Sequence, residues 1–128
     1  MVIRIVRLGS DRAPDEGTRI GTVRRPPRGV PKTAFASGDW YDVWFPNLAP
    51  SVETMKLGQE ADTSAQWAAF TKKYAAEMAT PDAKHALELL AVLSRRTNLS
   101  VGCYCESETR CHRSVLRALL VGQGADVV

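Results

Sequence analysis

Apolar and polar positions alternate in twos near the start of the chain and recur in threes and fours beyond residue 62. Over Val2–Leu8, Ile3 and Ile5 share one face with Arg7 while Val2, Arg4, Val6 and Leu8 take the other. That two-residue period, rich in β-branched residues, predicts a first strand. Gly9–Thr18 is dense in Gly, Ser, Asp and Pro and predicts a loop, after which Arg19–Val23 resumes strand character. Arg24–Lys32 carries three prolines, a glycine and four cations. Proline neither donates to a ladder nor continues a helix, so this stretch predicts an irregular surface arm. Tyr41–Phe45 is a short aromatic run before Pro46, predicting an edge strand or a strapped loop.

From Asp62 the period becomes helical. Trp67, Phe70, Tyr74 and Met78 line one face of a helix of about four turns, with Asp62, Thr63 or Ser64 available as its cap. Thr80-Pro81-Asp82 combines an N-cap hydroxyl, proline at the first helical position and an acid in the first turn. A second helix is expected to run from there to Arg95 or Arg96, burying Leu87, Leu90, Ala91 and Leu93. Leu99–Cys105 predicts a strand, and Arg113–Val121 a last helix burying Val115, Leu116, Leu119 and Leu120. A helix, a strand and a helix in succession predict an α/β fold, a three-layer single domain over residues 1–128 with helices flanking a small sheet. Because no helix separates the first two strands, they are expected to pair antiparallel, giving a mixed, partly parallel sheet.

Composition narrows the class without naming a function. The 128 residues are 45% hydrophobic and 24% charged, which argues against disorder and against a disulfide scaffold. No apolar run is long enough for a bilayer, so no membrane partner is expected, and the absence of a signal-peptide pattern points to the cytoplasm. The net charge of +3 is too small to imply a polyanion by itself. Its distribution is uneven: residues 1–32 hold eight basic and three acidic side chains, an excess of five, so the remainder is net acidic by two. Two outcomes are equally open, one positive face or a merely solvated surface.

The candidate chemistry lies in Gly102–Ser114, where a strand gives way to a helix, the edge at which open α/β sheets bind ligands. Cys103 and Cys105 are two apart on a strand and share a face. Cys111, His112 and Arg113 fall in the first helical turn, where free N–H groups favour a thiolate or an anion. Three readings follow. In the catalytic one, Cys105 or Cys111 is a nucleophile, His112 the acid/base, and Arg113 with Arg24, Arg28 and Lys32 grips an anionic small molecule. In the metal reading, Cys103, Cys105, Cys111 and His112 hold zinc, against which stand the C-x-C-x5-C-H spacing and the adjacency of Cys111 and His112. In the third, the cysteines pack as small hydrophobes and His112 caps the helix. A reversible Cys105–Cys111 disulfide is a further option. Glu106 and Glu108 would raise a nearby thiol's pKa if they approached it. His85 reads as a surface histidine, and Trp40, Tyr41, Trp44 and Phe45 as core or loop anchors before base-stacking rings, so nucleic acid is weakly supported. Phosphate-loop and dinucleotide fingerprints are both absent.

Pro27-Arg28-Gly29-Val30 with Lys32, Leu48-Ala49-Pro50-Ser51, and Trp67, Phe70, Tyr74 and Glu77 resemble the YeaO-like branch of the family of domains of unknown function 488. Cys103–Leu116 resembles the Cys-His-Arg segment of the wider family. The resemblance runs from about Ile3 to Leu120. It implies a compact α/β domain of bacterial or archaeal cells and carries no established activity. YeaO-like relatives lack the cysteines yet keep a histidine matching His112, which implies that Arg24, Arg28 and His112 are the constant part of a pocket and the thiols an addition. The reading expected is an anionic small-molecule or nucleotide-like pocket with cysteine- and histidine-dependent chemistry; the alternatives are a zinc or nucleic-acid module and a thiol redox sensor.

Overall fold

A computed structural model describes all of residues 1–128. Four strands form one sheet: β1 (Ile3–Arg7), β2 (Thr18–Gly21), β3 (Val43–Trp44) and β4 (Leu99–Cys103). Four helices accompany them: α1 (Val52–Glu60), α2 (Ser64–Met78), α3 (Pro81–Leu93) and α4 (His112–Gly122). This is the expected α/β class, with one correction in the pairing. The strand order is β1-β4-β2-β3 and every pairing is parallel, so the sheet is not mixed. β1 and β2 do not touch as a hairpin because the last strand inserts between them; residues 8–17 carry the chain across β4 and restart it in the same direction. Tyr41–Phe45 yields only the two-residue edge strand β3.

The register explains the burial. Ile3 and Ile5 of β1 lie beside Leu99 and Val101 of β4, and Ile20 of β2 flanks Val101 on its other side. These residues share one face and pack with Phe70, Tyr74 and Met78 of α2, Leu87, Leu90 and Ala91 of α3, and Leu116 and Leu120 of α4. β4 is buried along its whole length, as a parallel strand covered on both faces must be.

The second face is closed by loops where the sequence reading placed helices. Gly21 and Gly102 leave it nearly bare of side chains there, and a Cβ on Gly21 would meet the Tyr41 ring at 2.4 Å. Arg19, fully buried, holds the loops down: its Nε donates to Glu16 Oε2 at 2.6 Å and one Nη to the carbonyls of Ser10 and Asp39 at 2.8 and 2.7 Å. Ser100 donates to the same carboxylate at 2.7 Å.

The helices follow their signals with instructive exceptions. Thr63 caps α2 in a full capping box with Gln66. Thr80 does not cap α3 with its side chain; its hydroxyl donates back to the Glu77 carbonyl at 2.8 Å. α3 ends at Leu93, which is exposed. α1 escapes the periodicity because it buries only Thr54 and rests on α2. There Gly58 meets Phe70, which a Cβ would approach at 2.8 Å. Ser51 caps α1, and both its backbone N–H and its hydroxyl donate to Glu77 of α2. No helix is long and apolar enough to cross a membrane.

Burial opposes ionisation of Glu16, yet the hydrogen bonds from Arg19 and Ser100 outweigh it and hold the carboxyl below the usual glutamate range. A carboxyl depressed on folding contributes stability that is present above its unfolded pKa and lost as pH falls through the folded one. Denaturant midpoints should therefore fall with acid below the ordinary glutamate value of 4.5. Glu16→Ala, which strands the buried Arg19 charge, should cost about 3–5 kcal/mol at neutral pH; a loss under about 1 kcal/mol in equilibrium unfolding would show that the pair does not anchor the loops.

Candidate functional site

At the carboxyl ends of β2 and β4 a cavity of about 540 Å³ opens toward the helices. That is within the range of small-molecule pockets. Cys103, Cys111 and His112 lie at its base, Trp67, Phe70 and Met55 supply an apolar wall, and Cys105, Tyr104, Arg24, Arg25 and Arg110 form part of its rim. The parallel sheet dictates the position. β4 stops at Cys103, the chain makes a 3-10 turn at Glu108–Arg110, and α4 starts at once. Cys111 is the residue immediately before its first turn, in extended conformation.

The sulfurs and the imidazole converge. Cys103 Sγ lies 3.7 Å from Cys105 Sγ, and Cys111 Sγ lies 3.7 Å from His112 Nδ1. The ligand atoms of Cys103, Cys111 and His112 are all within 4.8 Å of one another. The imidazole is held from behind: its Nε2 is 2.8 Å from the carbonyl oxygen of Thr22, just past β2. A carbonyl only accepts, so Nε2 carries a proton and donates it, leaving Nδ1 to face Cys111. The Tyr74 ring lies edge-on to the imidazole at 5.3 Å, and its hydroxyl donates to the Leu48 carbonyl at 2.6 Å.

The three thiols titrate as a unit with opposed directions. Hydrogen bonds to Cys103 and Cys105, with a smaller contribution from His112, outweigh burial and pull Cys111 well below an ordinary thiol. The contact with Cys105, then that with Cys111 and burial, push Cys103 up. Cys105 is also raised: its bond with Cys103 acts to lower it, but the bond with Cys111 and burial prevail. The lowered thiol, Cys111, is thus the residue immediately before an eleven-residue helix, where free N–H groups favour the ionised form of a thiol. Glu106 is exposed and Glu108 is engaged by Arg117 at 2.6 Å, so neither acid faces the sulfurs as a free charge.

The remaining candidates divide. Arg113 is buried, and its Nη2 donates to the Cys105 carbonyl at 2.6 Å, bracing the loop from beneath, while its Nε has no partner. Arg24 reaches the rim but donates to the carbonyls of Pro50 and Ala49, at 3.1 Å each. Arg28 lies in a neighbouring cleft, and Lys32 lines neither cavity. His85 is exposed. The arm and the cysteine loop therefore do not enclose one pocket; they border two that share Arg25 and Tyr104. Sequence reasoning missed Met55, Tyr104 and Arg110 as lining residues. Arg110 lies 4.9 Å over the Trp67 ring and donates to the Ala61 carbonyl, a contact between segments far apart in sequence that no local pattern signals.

Residues 3–124 match the family model DUF488-N3a, described as the active DUF488-N3 subclade. The chain belongs to the DUF488 family. No curated protein and no solved structure matches it. The match extends over the sheet, the helices and every cysteine of this DUF488 chain, so the sulfur cluster lies inside the family's domain.

If Thr22 holds the imidazole as described, the His112 Nε2 proton should exchange slowly and appear as a resolved downfield signal in proton NMR at neutral pH. A signal lost to fast exchange would contradict the geometry.

Proposed function

We propose that this DUF488 chain is a thiol-dependent enzyme, with Cys111 as nucleophile and His112 as its proton carrier. The observation that carries the reading is the Cys111 Sγ facing His112 Nδ1 in a cavity large enough for a small molecule. The cavity supplies a mostly apolar wall to seat a substrate. In the step envisaged, the Cys111 thiol gives its proton to His112 Nδ1, the sulfur electron pair forms a bond to an electrophilic centre, the bond to the leaving group breaks with its electron pair, and that group takes the same proton from Nδ1. Nε2 stays on Thr22 throughout, so the ring keeps its orientation while Nδ1 exchanges the proton. Cys103, in contact with Cys105 at 3.7 Å, lies beside Cys111 and favours its ionised form. Arg113 positions the loop through Cys105. The description of the matched subclade as active is in keeping with chemistry at this site.

One observation favours a second reading. Zinc held by three sulfurs at about 2.3 Å and one nitrogen at about 2.1 Å has sulfur–sulfur edges near 3.8 Å and sulfur–nitrogen edges near 3.6 Å. The two 3.7 Å separations fall between these values, and a histidine that donates its other N–H to a carbonyl is the usual support of a metal ligand. Cys103, Cys111 and His112, whose ligand atoms lie within 4.8 Å of one another, would then be ligands, with Cys105, 3.7 Å from Cys103, as the fourth.

Native mass spectrometry before and after chelation, with mapped alkylation on the same sample, separates the two. The enzyme reading expects bare protein whose Cys111 alkylates at nearly the same rate from pH 8 down to pH 6. An ordinary thiol slows about tenfold per pH unit over that range. Cys111→Ser should remove the fast phase. A stoichiometric mass excess of zinc, with thiols protected until chelator is added, would replace the enzyme reading with the metal centre.

A further inference from the structure

Beside the thiol cavity lies a second cleft, of about 630 Å³, and its chemistry is different. Arg7, Arg25 and Arg28 line it together with Trp40, Tyr104 and the backbone of Gly9 and Pro26. Arg25 and Arg28 are exposed and make no ion pair, and Arg7 has only a 3.9 Å contact with the exposed Glu106. Elsewhere Arg4, Arg12, Arg19 and Arg117 are each matched to a carboxylate at 3.2 Å or less. The cleft therefore concentrates positive charge that the chain itself leaves uncompensated, as an anion site requires. Guanidinium groups present paired donors that suit phosphate oxygens.

The aromatic side of the cleft is built, not incidental. The Trp40 ring fits against Gly9, whose φ of +88° suits glycine and where a Cβ would come within 2.9 Å of the ring. Tyr104 packs edge-on to Trp40 with centroids 6.0 Å apart, and its hydroxyl donates to the Arg25 carbonyl at 2.8 Å. Arg7 Nε in turn donates to the Tyr104 carbonyl at 3.3 Å. The rings and two of the arginines are thus tied into one frame. A ligand that satisfies both halves carries a phosphate for the arginines and a flat ring for the aromatic side.

We infer that this cleft binds a nucleoside phosphate, with its phosphate on the arginines and its nucleoside end on Tyr104, the residue that also borders the thiol cavity. The inference deepens the enzyme reading by naming its substrate class, and it rests on that reading only for the link between the two cavities. Arg28 is the member of the surface arm that makes the contact, and Arg25 and Tyr104 are the shared wall.

The test is tryptophan fluorescence and calorimetry on the full chain with adenosine 5′-monophosphate, adenosine, inorganic phosphate and a short single-stranded oligothymidylate. The monophosphate should quench fluorescence, bind more tightly than adenosine or phosphate, and weaken as salt is raised. Trp40→Phe should abolish the quench while leaving calorimetric binding largely in place. Arg28→Ala and Arg25→Ala should each weaken binding about tenfold or more with unchanged circular dichroism. Binding of the monophosphate to the wild type scores the cleft whether or not the thiol is catalytic. Monophosphate bound in the cleft should slow Cys111 alkylation in the wild type. Binding without that protection would overturn the link to the thiol cavity. Equal affinity for phosphate and monophosphate would remove the nucleoside from the proposal. Binding of the oligonucleotide alone would replace it with a strand-binding surface, and no binding of any probe would overturn it.

Discussion

The insertion of β4 between β1 and β2 is the constraint on which the site depends. A central parallel strand satisfies its backbone groups on both sides, and here the pairing continues past the formal ends of the strands. Leu8 donates its N–H to the Cys103 carbonyl at 2.9 Å, while the N–H and the hydroxyl of Thr22 both donate to the Gly102 carbonyl at 3.0 Å. Thr22 then turns its own carbonyl to His112. One residue thus ties β2 to the end of β4 and to the first turn of α4. The cysteines are brought together because the strand that carries Cys103 and the helix that follows Cys111 are both registered against it.

The electrostatics of the cluster follow from that placement. A buried thiolate without support would be costly; around Cys111 stand the Cys103 sulfur, the His112 imidazole and a helix N-terminus. Arg113 contributes by holding the Cys105 carbonyl, so the charge nearest in sequence serves the frame. The opposite face of the sheet is stabilised in the same manner, with buried Arg19 matched to Glu16 and to loop carbonyls. A buried ion pair and a buried cluster of sulfurs and imidazole therefore flank the sheet, one closing the fold and the other facing a cavity.

Much of this was legible in the sequence where local chemistry decides structure. The cap candidates Asp62, Thr63 and Ser64, of which Thr63 is the one used, Pro81 at the start of α3, and the alternation of Ile3 and Ile5 each predict their element directly. The cluster of Cys103, Cys105, Cys111 and His112 was legible as well, since all four lie within one strand-to-helix junction. What was not legible depends on long-range pairing. The direction of β2 is set by the arrival of β4 some eighty residues later, a fact absent from any window around residue 20. α1 is short and leaves its apolar Val52 and Leu57 exposed, burying one threonine and a glycine contact, so its sequence does not mark it as a core helix. The division of the basic arm is equally non-local: Arg24 turns to the carbonyls of residues 49 and 50, whereas Arg25 and Arg28 reach the side where Trp40 and Tyr104 meet.

The central claim is that one cysteine of the three is a thiolate at neutral pH and that it is Cys111. The thiolate absorbance in the ultraviolet, followed as the metal-free chain is titrated, tests it most directly. Wild type should hold the absorbance of about one thiolate from pH 8 to well below the ordinary thiol range, and Cys111→Ser should lose that signal while keeping its helical circular dichroism. A wild-type curve that rises only near pH 8–9, as for an ordinary cysteine, or a low-pH signal that survives Cys111→Ser, would contradict the account.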